Sequence, residues 1–114
     1  MSVEYTIIPP AAEPVRGTLD WPESPGYDRI AGFVRPVLSD DWEHVHVLFG
    51  GVCTDMFVSA TGALSTRTRP MLPVNAAATI IYRAAWMLQH PDTSPDSLPA
   101  IHGAAVLFHR RVWF

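Results

Sequence analysis

The sequence predicts an α+β domain in which an antiparallel sheet of about four strands carries one main helix across one face. Three observations predict it. His44–Phe49 alternates, with Val45, Val47 and Phe49 on one side and His44, His46 and Leu48 on the other, as in a strand with one buried face. Gly50-Gly51 is a hairpin-type turn, and Cys53–Ser59 resumes the extended pattern with Met56 and Val58 opposite Asp55 and Phe57. Ala76–Gln89 then runs without Gly or Pro behind Asn75, whose side chain can accept from the free amides of a first helical turn. With 114 residues the chain is a single domain, 1–114.

The remaining elements follow in order. Val3–Ile8 reads as a strand ended by Pro9-Pro10, which cannot donate to a ladder. A proline-rich connection over residues 9–26 follows, and regular structure is not expected from Ala11 to Gly26. Tyr27–Val34 carries apolar residues at helical spacing behind Ser24-Pro25, and Pro36 is expected to stop it. Thr61-Gly62 supplies a turn. In the long helix, Ala77, Ile80, Ile81, Ala84, Ala85 and Leu88 form the stripe expected to lie on the sheet, with Thr79, Arg83 and Trp86 towards the flanks. His90-Pro91 ends it, residues 90–99 form an exposed loop, and Ile101–Phe114 reads as a final strand bulged at Gly103.

Composition removes whole classes of function. All eight cations are Arg, and without Lys there is neither a Schiff base nor a P-loop lysine. One cysteine, Cys53, closes no disulfide within the chain and no Cys-based zinc site, which suits a reducing compartment. The N-terminus has neither the basic start nor the apolar run of a secretory signal, and the longest uncharged stretches are too short to span a bilayer, so a cytoplasmic protein is expected. A net charge of −3 argues against nucleic acid or an anionic membrane as partner. The charge is uneven: residues 1–58 hold nine acids and three arginines, residues 59–114 two acids and five arginines.

Several residues are candidates for chemistry. His44 and His46 project from one strand face, and His109 or His102 could complete a three-histidine metal site of a small metal-dependent enzyme. Two histidines on a solvated strand need no metal, however, and neither metal nor cofactor is expected. Cys53 has His44, His46 and Asp55 nearby in sequence but lacks a nucleophile elbow, and reads as a small core side chain. Asp40, Asp41 and Glu43 fit a solvated turn better than a cation site. Arg67, Arg69, Arg110 and Arg111 could grip nucleic acid together with Trp113 and Phe114, which makes these six the candidate interaction surface. Trp113 and Phe114 must be core or interface, because a terminal Trp-Phe pair left in water is a liability.

TIIPP at the first strand, Gly32-Phe33-Val34-Arg35-Pro36-Val37, Ala60-Thr61-Gly62-Ala63-Leu64, Leu72-Pro73-x-Asn75-x-x-Ala78-Thr79 and Ile101-His102-Gly103 occur in the order seen in a family of small domain-of-unknown-function proteins of bacteriophages and actinobacteria. The chain resembles that family over most of its length, departing from it in the long proline-rich connection, in Thr61 and in the extension His109–Phe114. The resemblance implies a fold and a context: a phage-encoded accessory protein in the host cytoplasm, non-enzymatic, acting by binding a host or phage protein; a homodimer is a separate candidate, raised by the terminal Trp113 and Phe114. Absent Lys, single Asn and Gln residues and abundant Ala and Pro fit a GC-rich genome of that kind.

Overall fold

A computed structural model describes residues 1–64 and 70–113. Five strands make one antiparallel sheet: β1 (Val3–Ile8), β2 (Val15–Leu19), β3 (Trp42–Phe49), β4 (Val52–Ser59) and β5 (Ala105–Phe108), in the order β2-β1-β5-β4-β3. Two helices, α1 (Tyr27–Leu38) and α2 (Ala76–Gln89), cover opposite faces. Ile30, Val34 and Leu38 of α1 pack with Val3, Phe57, Val106 and Phe108. Ala78 and Ala85 of α2 pack with Ile8, Val47, Met56, Val58 and Leu107. Alternation sends neighbouring residues of a strand to opposite faces, and because both faces are covered here, Thr54–Val58 of β4 and all of β5 are buried. The α+β class and the α2 layer stand as the sequence predicts, with a fifth strand and a longer α1 added.

Five local expectations are corrected. The stretch Ala11–Gly26 contains β2, which pairs with β1 from Val3↔Leu19 to Ile7↔Val15. Pro14 and Pro22 flank this segment rather than interrupt it, and an edge strand needs only one partner. Gly17 leaves room for the Tyr5 side chain, which lies over its Cα, and a Cβ there would push the phenol aside. Helix α1 runs through Pro36 to Leu38. Pro36 falls in the last turn, so the ladder loses one bond, to the Gly32 carbonyl, at a solvent-exposed position. Ser39, in the left-handed region at φ 54°, then closes the helix with an amide bond to the Arg35 carbonyl at 2.8 Å.

The third correction concerns the roll of α2. Its buried residues are Ala78, Thr79 and Ala85, while Ala77, Ile80, Ala84 and Leu88 of the predicted stripe face solvent. Because α2 is apolar nearly all round, periodicity does not choose its inner side. The polar anchors do. Thr79 Oγ1 accepts from the Ile101 amide at 2.9 Å and donates to the Asn75 carbonyl at 2.7 Å, and Ala78 beside it, with no exposed surface, permits the close approach. Fourth, β5 ends at Phe108, and residues 109–113 leave the sheet instead of prolonging the strand. Fifth, Cys53 is exposed rather than core. No helix among the described residues is long and apolar enough to cross a membrane.

Candidate functional site

The β3–β4 hairpin sets the geometry of a polar cluster formed by His44, His46 and Asp55. Gly50 and Gly51 both take positive φ, 60° and 79°, as a two-residue hairpin loop with matching twist demands. That loop fixes the register, so Phe49 faces Val52, His46 faces Asp55 and His44 faces Phe57. His44, His46 and Asp55 therefore share one face, the α1 side, and a one-residue slip would send Asp55 to the other. Helix α1 brings only the Tyr27 ring near this cluster, against Trp42 and Trp113. The chain after β5 reaches it.

Asp55 is fully buried, His44 15% exposed and His46 50% exposed. Asp55 Oδ2 accepts the amides of Val112 at 2.7 Å and Trp113 at 2.9 Å, which ties the C-terminal segment across the sheet. Asp55 Oδ1 accepts from His44 Nε2 at 2.6 Å, and His46 Nδ1 lies 3.5 Å from the same oxygen. Burial pushes the Asp55 carboxyl up, but the His44 hydrogen bond and the Trp113 and Val112 amides outweigh it and hold the group below its ordinary value. Trp113 closes the cluster, with ring centroids 5.3 Å from Trp42, 6.2 Å from Tyr27 and 6.2 Å from His44. At the outer edge of β3, His44, Val45 and His46 meet Tyr82, Ala85, Trp86 and Gln89 of α2 around a pocket of about 240 Å³.

The other residues singled out from sequence lie elsewhere. His109 does not join His44 and His46. It stands on the α2 side of the sheet, sharing a hydrogen bond with Thr6 Oγ1 at 2.7 Å, with Glu4 at 3.3 Å and the Phe49 ring at 5.0 Å. His102 donates through Nδ1 to the Leu72 carbonyl at 2.8 Å. The three histidines therefore do not converge, and the residue that meets His44 and His46 is Asp55. Arg110 donates to the carbonyls of Pro22, Glu23 and Arg111, and Arg111 to that of Trp113, so both carry backbone bonds that shape the tail. Arg67, Arg69 and Phe114 lie outside the described residues. Of the three candidate partners of Cys53, His44 and Asp55 are bonded to each other and His46 lies 3.5 Å from the same carboxylate.

Asp40 has a structural occupation. Its Oδ2 accepts from Ser59 Oγ at 2.5 Å and from Thr61 Oγ1 and N at 2.6 and 3.2 Å, which pins the start of β3 to the end of β4. The Ser59 and Thr61 hydroxyls hold this carboxyl well below the usual carboxylate range. A depressed folded-state value stabilises above the unfolded value, about 3.9, and the benefit is lost as pH falls through the folded one. Asp40→Asn is therefore expected to melt about 5 °C below wild type at pH 7. The gap should narrow steadily below about pH 4 in thermal scans. A gap independent of pH would show that the charge contributes nothing.

No protein-family model, curated protein or solved structure matches the chain.

Proposed function

We propose that the chain acts by binding another protein rather than by catalysis, and that the outward face of α2 is the contact surface. One observation carries this reading. Ala77, Ile80, Ala84 and Leu88 form a continuous apolar stripe on the solvent side of the helix, with Ile80 and Leu88 each 68% exposed. The only charged residue of α2, Arg83, is turned away to donate to the Leu98 carbonyl at 2.9 Å. A helix apolar on both sides fits a second layer of protein on the outer one. The resemblance to phage and actinobacterial accessory proteins supplies the partner class, a host protein. The test is affinity capture from host lysate with wild type beside the Ile80→Glu/Leu88→Glu double variant, checked for folding by circular dichroism. A protein retained by wild type and lost by the variant is the expected result; equal capture by both, or none by either, would overturn it.

A second reading has its own support in the same stripe. In an antiparallel pairing about a twofold axis, Ala77 would face Leu88 and Ile80 would face Ala84, small against large at every step, with no like charges opposed. Light scattering would then give twice the 12.6 kDa chain mass for wild type and a monomer for the double variant.

A further inference from the structure

We propose that His44, His46 and Asp55 form a binding site for a divalent transition-metal ion of the zinc class. Each side chain brings one donor atom, and the three atoms lie within 4.8 Å of one another. An ion with bonds of about 2.0–2.2 Å would gather them with small rotations of the two imidazoles. The carboxylate is already aimed. Its Oδ2 is held by the Val112 and Trp113 amides, which turns Oδ1 towards His44 and His46. Outer hydrogen bonds of this kind orient the carboxylates that bind metals.

Charge points the same way. Asp55 has no exposed surface, and among the described residues its charge partners are the two imidazoles alone, with no arginine in reach. A buried carboxylate needs a positive counterpart, and a divalent ion between these three groups supplies one. Access is open, since His46 is half exposed and both histidines border the pocket beside Trp86 and Gln89. Two imidazoles and one carboxylate select zinc, or nickel, cobalt and copper in the same series, over magnesium and calcium, which take oxygen donors. To ligate through Nε2, His44 gives up its hydrogen bond to Asp55 and carries the proton on Nδ1 instead, so binding requires only a change of tautomer. Three protein donors leave a tetrahedral position for water or for an anionic group of a ligand.

The site uses no side chain of the α2 stripe, although His46 and Leu88 border one cavity, and its failure would leave the protein-binding reading untouched. The experiment uses the full chain, stripped with chelator and titrated with zinc chloride by calorimetry and thermal melting at pH 7.5. One equivalent should bind and raise the melting temperature by several degrees. His46→Ala, at a half-exposed position where folding is preserved, and His44→Ala should each lose at least tenfold in affinity. His109→Ala, on the opposite face of the sheet, should bind as wild type does, and magnesium should give no shift. No heat and no shift with wild type, or an equal shift in the His44→Ala/His46→Ala double variant, would overturn the proposal.

Discussion

Asn75→Ala is expected to unfold about 10–20 °C below wild type, one of the two largest losses of any single substitution considered. Asn75 is 1% exposed and sits where three segments meet. Its Oδ1 accepts from the Ala78 amide at 3.1 Å, capping α2. Its Nδ2 donates to the carbonyls of Ile8, at the end of β1, and Gly103, just before β5, at 2.8 and 2.9 Å. Truncation removes a cap worth about 1 kcal/mol and strands two buried carbonyls at about 1–3 kcal/mol each, about 3–7 kcal/mol in all. At several degrees per kcal/mol, the lower part of that range gives the stated drop. Asn75→Ser separates the parts: it restores the cap alone and should recover about 1 kcal/mol. Urea unfolding of the three proteins measures both steps, and a midpoint for Asn75→Ala indistinguishable from wild type would show that the bridge carries no weight.

The cluster around Asn75 also explains why the most motif-like stretch of the sequence is scaffold. Leu72, Pro73, Asn75, Ala78, Thr79, Ile101, His102 and Gly103 meet in one hydrogen-bonded knot: Asn75 N to Ile101 O at 2.7 Å, Gly103 N to Pro73 O at 2.9 Å, and His102 to Leu72. Gly103, at φ 83°, lies so near Leu72 that a Cβ would come within 2.8 Å of Cδ1. The cap was legible from the residue type and its place before an uninterrupted helix. The bridging role of Nδ2 was not, because its acceptors lie 67 and 28 residues away in sequence.

The hairpin was legible nearly to the residue, since alternation and a Gly-Gly turn are local signals. Its register was legible too. His46 precedes Gly50 by as many residues as Asp55 follows Gly51, which by itself places the carboxylate opposite the histidine. His109 was the wrong third member because its neighbour in β5, Phe108, fills the α1-side core and alternation sends His109 to the other face. The roll of α2 and the path of the tail were beyond local reading. A helix apolar all round carries no preferred side, and Val112 and Trp113 are placed by an aspartate more than fifty positions earlier.

That aspartate yields the second large effect. Asp55→Ala is expected to cost about 3–5 kcal/mol, because it leaves the amides of Val112 and Trp113 and the Nε2–H of His44 buried or half-buried without an acceptor. The loss should be concentrated in the tail. Val112 is 1% exposed and Trp113 is wedged among Trp42, Tyr27 and His44, and apart from these packing contacts the amides of these two residues are held to the sheet through Asp55 Oδ2, while His109 and Arg110 keep bonds of their own to Glu4, Thr6, Pro22 and Glu23. Near-ultraviolet circular dichroism should therefore lose the signature of the packed indoles while the far-ultraviolet spectrum keeps its sheet and helix. Limited proteolysis should cut first after Arg110 or Arg111. Asp55→Asn keeps an oxygen for the amides but exchanges charged bonds for neutral ones, and should fall between the two, about 1–2 kcal/mol below wild type. If apolar packing alone docked Trp113, Asp55→Ala would leave the tail protected and the indole signal intact; graded loss from wild type through Asn to Ala is what a carboxylate anchor requires.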